Sequence, residues 1–259
     1  MKAQGPGPWP ALEEARHALS PSEGSDGCGI RIAILDSGVD TSHPDLKSLT
    51  LSDDLAIESR GGRLSRIDGE GQDVFGHGTA VAGIIHRAAP AATLGSIRVL
   101  GHFKESRAAI IQEGVKQAAR LGYHILQCSF GAPARPEDAA IYKNWIDAAY
   151  LRGIHIVAAA SNSSFQTREW PAHFTSVIAV GAHPKDAPSL TLQERSLVEF
   201  TISGNEKNAL WPGGGTRQLL GSSFAAPRVT ALLARLLSRY PDLHPATARS
   251  LLRQLALAE

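Results

Sequence analysis

Short runs rich in β-formers, separated by helical segments, constrain this chain more than any other feature. The runs are Ile30 to Leu35, Thr93 to Leu100, His124 to Phe130, His155 to Ala160 and Ser176 to Gly181. Two segments with helical periodicity lie between them, Glu105 to Leu121 and Glu137 to Arg152, and the second gathers Ile141, Trp145, Ile146 and Ala149 on one face. Repeated strand-helix-strand order calls for a parallel sheet with right-handed crossovers and helices on both faces. The expected fold class is therefore α/β, a doubly wound, mainly parallel sheet. A chain of 259 residues can bury a substantial core as one large domain. Residues 1–29 read as an N-terminal extension, extended from Met1 to Pro10 with a short amphipathic helix at Ala11 to Leu19, and 30–259 read as the main domain. The text from Asp40 to Gly71 is polar and loop-like. Pro184 to Gly215 is harder to parse, with a strand at Val198 to Ile202 and a loop at Pro212 to Gly215, and Pro245 to Ala256 closes the chain as an amphipathic helix.

Polar residues fall where such a sheet would collect them. Asp36, Ser129 and Asn162 each come at the downstream end of a strand, the rim where open α/β sheets place their sites. His77 stands between Gly76 and Gly78 at the head of an apolar run. The stretch LLGSSFAAPRVTALLARLLSRY, Leu219 to Tyr240, reads as a helix starting near Ser223 with Pro227 in its first turn, where a missing N–H costs nothing. Val229, Leu232, Leu233, Leu236 and Leu237 share one side of it, and Arg228, Arg235 and Arg239 form a wet stripe on another. Its N-terminus offers free N–H groups and the positive end of the helix dipole. Serine at a helix start is commonly only a cap, and a histidine there is as often packed as reactive. Together, however, Asp36, His77 and Ser223 supply an acid, a base and a hydroxyl. A serine hydroxyl needs a positioned base at neutral pH, and the base needs a partner to hold its tautomer.

On these residues the chain resembles the subtilisin-like serine protease family, the peptidase S8 subtilases, whose members order their triad Asp, His, Ser along the chain. The resemblance is carried by IAILDSGVDTSHPDL around Asp36, GHGTAVAGI around His77 and GSSFAAPRV around Ser223. SFG at Ser129 to Gly131, IVAAASN ending in Asn162, and WPAHFTSVIAVGA from Trp170 to Ala182 add weaker support. It implies a serine endopeptidase acting through an acyl-enzyme, with Ser223 as nucleophile, His77 as base and later acid, and Asp36 as the orienting carboxylate. It also implies that Asn162 and the Ser223 N–H stabilise the oxyanion, and that Ser129, Phe130 and Gly131 line up the substrate backbone. Two alternatives keep the scaffold: a peptide ligase or macrocyclase in which an amine attacks the same intermediate, and a non-catalytic peptide-binding pseudoprotease.

Several positions depart from the family pattern. Ala80 stands where a second histidine is usual, Ser161 where a glycine precedes the asparagine, and Phe224 where methionine follows the nucleophile. Asp45 matches a calcium ligand of the family, but the loop that usually completes that site is missing, so no structural calcium and no other metal or cofactor is expected. With little chain ahead of Ile30 to act as a folding prosegment, the domain is expected to fold unaided or with help from a partner chain.

Composition excludes other classes. Lys+Arg 26 against Asp+Glu 25 leaves a net charge of +1, which gives no pull toward nucleic acid or an anionic membrane. Protein or peptide substrate is the expected partner. No apolar run reaches the roughly 20 residues needed to span a bilayer, and the N-terminus lacks the apolar core of a signal peptide. Cys28 and Cys128 read as free thiols, with no metal-ligand spacing around either. The expected location is cytoplasmic. No Gly-rich phosphate loop follows any strand, which argues against a nucleotide-binding protein.

Overall fold

The computed structural model describes residues 10–257 apart from 21–24, 70–71, 194–195 and 197. The extended reading of Met1 to Pro10 falls almost wholly outside them. The chain begins with helix α1 (Leu12–Leu19), enters strand β1 (Arg31–Asp36), makes a hairpin of β2 (Asp54–Arg60) and β3 (Arg63–Asp68), and turns into α2 (His77–Ala88). Next come β4 (Thr93–Arg98), α3 (Ala108–Arg120), β5 (Ile125–Cys128), the two-residue β6 (Ala132–Pro133), α4 (Ala139–Leu151), β7 (His155–Ala159) and β8 (Glu169–Trp170). The last part holds β9 (Ile178–Ala182), β10 (Thr191–Leu192), β11 (Phe200–Ile202), the hairpin β12 (Asn205–Trp211) and β13 (Gly215–Leu220), then α5 (Ser222–Arg239) and α6 (Pro245–Leu257).

One sheet runs in the order β10-β11-β9-β7-β5-β1-β4-β2-β3, parallel except at its two edges. Strand β1 shows why the sheet is covered on both sides. Ile32 and Ile34 point into a core with residues of α2, α5 and α6, while Ala33 and Leu35 point into a second core with residues of α3 and α4. All four are buried, as a strand with helices over both faces requires. The chain leaves β1 toward β4 on one side and β5 on the other. That is the topological switch point, and the crevice beyond the strand ends there is where an α/β sheet can hold a ligand.

The α/β expectation stands, and four readings are corrected. Asp40 to Gly71 is not all loop. It contains the β2/β3 hairpin, turned by Gly61 and Gly62 with φ of 56° and 79°, as a two-residue turn with both φ positive demands. The loop at Pro212 to Gly215 is one residue too long: Pro212 to Gly214 form the tip of the β12/β13 hairpin, and Gly215 opens the strand that runs through Leu219 and Leu220. Pro227 is not in the first turn: α5 starts at Ser222 and the proline is its sixth residue. Nor is the arginine stripe of α5 simply wet. Arg228 Nη2 donates to Glu206 Oε2 at 2.9 Å, and Arg235 donates to the carbonyls of Ser25 and Ser20 at 2.6 and 2.5 Å, tying the N-terminal segment to the helix. Ala15 and Ala18 of α1 are buried in that contact.

Candidate active site

Three adjacent strands, β7, β5 and β1, end at the same rim. They deliver Asp36, Ser129 and Asn162, and the N-termini of α2 and α5, which pack against each other, bring His77 and Ser223 to that rim. Asp36 is fully buried and His77 nearly so. His77 Nδ1 lies 2.8 Å from Asp36 Oδ1 and 2.9 Å from Oδ2, and the Ser37 N–H also donates to Oδ1 at 2.7 Å. A buried carboxylate has to be met by donors. The Nδ1 proton therefore belongs on the Asp36 side, which leaves the Nε2 lone pair as the basic end of the ring.

His77 is the first residue of α2, and its backbone is set by an acid the sequence reading passed over. Asp73 Oδ1 accepts from Ser37 Oγ (2.7 Å) and from the N–H groups of Phe75 (3.0 Å) and Gly76 (2.6 Å). Asp73 Oδ2 accepts from the N–H (2.9 Å) and hydroxyl (2.6 Å) of Thr79. One carboxylate thus serves the free N–H groups of the helix start. The usual sequence signature, a Ser, Thr, Asp or Asn directly before the helix, is missing because Gly76 holds that place, so spacing gave no signal for Asp73. Gly76 itself has φ of 113°, and a Cβ there would lie 2.3 Å from the ring of Trp211, so no side chain fits.

Ser223 enters the site on α5, and the first residue of that helix is pinned on both ends. Ser222 N–H donates to Asn162 Oδ1 at 2.8 Å, and Ser222 Oγ donates to the Ala160 carbonyl at 2.5 Å. Because a backbone N–H takes Oδ1, the amide of Asn162 is oriented and its Nδ2 is the end left to donate. The side chain lies directly over Gly221, where a Cβ would sit 3.1 Å from Oδ1. Ser223 Oγ does not bond His77. It donates to the Ser129 carbonyl at 3.1 Å. The next residue, Phe224, has its ring 5.4 Å from the imidazole and packs with Ala80 and Ile84 in a small apolar cluster. Two of the departures from the family pattern, Ala80 and Phe224, therefore fill one space. Ser161, the third, is buried with its hydroxyl 2.9 Å from that of Ser163.

Ser129 is buried, and its hydroxyl donates to the Ser223 carbonyl at 2.8 Å, a role the sequence reading did not assign. Phe130 is half-buried and Gly131 exposed, next to Glu169 of β8. Below the site, burial, followed by the charge of Asp36, pushes the Cys128 thiol far up, so it stays protonated and inert. Cys28 is exposed and unpaired. Asp45 is exposed on a short helical turn, and no group of three or more His, Cys, Asp or Glu among the described residues could hold a metal ion.

The subtilase family model matches residues 27–258. Subtilisin DY of Bacillus licheniformis is 31% identical, over 91% of this chain and 86% of its own length. Subtilisin BL of Lederbergia lenta is 28% identical over 96% of this chain and 91% of its own length, whereas the M-protease of Shouchella clausii, also 28% identical, is covered over only 64% of its length. Among solved structures, Sphericase superposes with a TM-score of 0.75 at 26% identity, covering 96% of this chain and 91% of that one. A cold adapted subtilisin-like serine proteinase gives 0.73 at 22% identity, covering 91% and 85%. The chain belongs to the subtilase family of serine endopeptidases.

Proposed function

We propose that this protein hydrolyses peptide bonds through Asp36, His77 and Ser223. The reading rests above all on the buried Asp36–His77 pair, whose geometry leaves Nε2 as a base at the rim where α5 presents Ser223. Rotation of Ser223 about χ1 moves Oγ from the Ser129 carbonyl toward Nε2. His77 takes the proton as Oγ attacks the scissile carbonyl, and Asp36 stabilises the imidazolium that forms. The oxyanion is met by the Ser223 N–H and by Asn162 Nδ2, which the Ser222 N–H orients from the far side of the amide. His77 then protonates the leaving amine, and water attacks the acyl-enzyme by the reverse path. Phe130 and Gly131 extend from the end of β5 and supply the edge along which an extended peptide can pair.

Membership of a protease family supports protein or peptide as substrate. Two unbonded cysteines, one exposed, support a reducing compartment as the place of work. The test is turnover of a chromogenic peptide amide, with product masses recorded in the presence and absence of an added amine nucleophile. Wild type is expected to release hydrolysed acid, and Ser223→Ala to release none. Products consisting only of ligated peptide would replace hydrolysis by aminolysis, and no turnover from folded protein would favour a peptide-binding role.

A further inference from the structure

The candidate nucleophile sits on a helix whose hydrogen-bond ladder is interrupted one turn further on. Pro227 has no N–H, so the carbonyl four residues earlier, that of Ser223, loses its helical partner. Its replacement comes from the sheet, where Ser129 Oγ donates to it at 2.8 Å. That one bond dictates the direction of the rest. A carbonyl only accepts, so the Ser129 proton is committed and Ser129 Oγ is left to accept from Gln127 Nε2 at 2.7 Å. With its NH2 end so fixed, Gln127 turns Oε1 toward α5, where the hydroxyl of Thr230 donates to it. Gln127 and Thr230 are fully buried and Ser129 nearly so. At that depth a reversed or unmatched polar end is costly, so the order of donors is unique. The relay leaves α5 at Thr230 and returns to it at Ser223, bracketing Pro227. The backbone of Ser129 closes the loop by accepting from Ser223 Oγ.

We propose that Thr230 and Gln127 are positioning residues that act through Ser129 to hold the peptide group of Ser223, and with it the angle between the nucleophile, His77 and the oxyanion donors. The inference rests on the hydrolase reading above. Neither residue touches substrate, so their effect falls on kcat and leaves peptide binding alone. A reacting group displaced by about 1 Å loses on the order of 10²-fold in rate. If the two residues served only to satisfy each other in the core, their loss would lower stability without changing turnover.

The experiment measures kcat and KM of the full chain on a chromogenic peptide, per titrated active site, at a temperature where circular dichroism shows each variant folded. Thr230→Val removes the donor at nearly constant shape and is expected to lower kcat by about 10- to 100-fold with KM within about twofold. Thr230→Ser keeps the donor and is expected to stay within about twofold of wild type. The pH profile of kcat/KM is expected to be unchanged, since Asp36 and His77 are untouched. The Thr230→Val/Gln127→Leu double variant should be no slower than the slower single one, as members of one relay are not additive. Should Thr230→Val fail to fold, Thr230→Cys, a weak donor, is expected to give an intermediate kcat. Wild-type kcat in Thr230→Val or, failing that, in Thr230→Cys would overturn the relay. A wild-type protein without turnover would instead overturn the hydrolase reading, and with it any catalytic role for the relay.

Discussion

Changing Asp73 to asparagine tests how the site is built, because one carboxylate there receives hydrogen bonds from five donors. An asparagine keeps a single oxygen. Turned so that this oxygen serves Ser37, Phe75 and Gly76, its NH2 faces the N–H and hydroxyl of Thr79. The Thr79 hydroxyl can accept, as it already does from the Asp40 N–H at 2.9 Å, so one contact reforms as a neutral bond. The Thr79 N–H cannot turn, and it is left against another donor. The opposite orientation strands the Phe75 and Gly76 N–H groups and is worse. Two charge-assisted bonds at about 1.5–3 kcal/mol each, less about 1 kcal/mol recovered, give a net loss of about 2–5 kcal/mol. That is a sizeable share of the roughly 5–15 kcal/mol that keeps a domain folded. Urea unfolding followed by circular dichroism should show a lower midpoint at unchanged slope. Because α2 begins at His77, kcat on a peptide amide should also fall, by about tenfold or more. An Asp73→Asn midpoint equal to that of wild type would refute the reasoning, since it would mean that the five contacts hold nothing in place.

Other consequences can be measured. Gly76→Ala puts a methyl into the Trp211 ring at a positive φ, and should lower the unfolding free energy by about 2 kcal/mol or more, read as a lower urea midpoint; an unchanged midpoint would contradict the packing described. His155 is buried at the start of β7, and burial pushes its pKa down from 6.5 to about 4. The unfolded chain binds the proton first, so stability is complete above about pH 6.5 and is lost as pH falls toward 4, by about 3 kcal/mol at 1.36 kcal/mol per pH unit. Urea midpoints across that range should slope for wild type and slope less for His155→Gln; equal slopes would exclude His155 as the source. Asn162→Ala should lower kcat by about 10²–10³, a magnitude known from subtilisin itself, and an unchanged kcat would remove the side chain from the oxyanion site. Activity and thermal midpoint should survive EDTA; loss of either, restored by calcium, would contradict the reading of Asp45.

What could be read from the residues, and what could not, divides along the range of the interactions. Strands β1, β4, β5, β7 and β9 are apolar runs because helices cover both their faces, and that signature is local. Asp36, His77 and Ser223 stood out because each sits at an element end within two residues of a glycine. The β2/β3 hairpin hid because β3 is an edge strand, polar and largely exposed, with no alternation to betray it. The β12/β13 hairpin hid behind an irregular register between Glu206 and Ala209. The start of α5 was misplaced by one residue, and Pro227 with it, because Asn162 and Ala160 pin Ser222 from 60 and 62 residues away. The Ser129 and Gln127 contacts to α5 span 94 and 103 residues, beyond any spacing rule.

Mass spectrometry of the folded protein after treatment with a fluorophosphonate tests the central claim most directly. If Asp36 and His77 activate Ser223, a single adduct forms, the peptide carrying it contains Ser223, and His77→Ala slows its formation by about 10³-fold or more. An adduct mapped to another serine, or labelling at the same rate without His77, would contradict it.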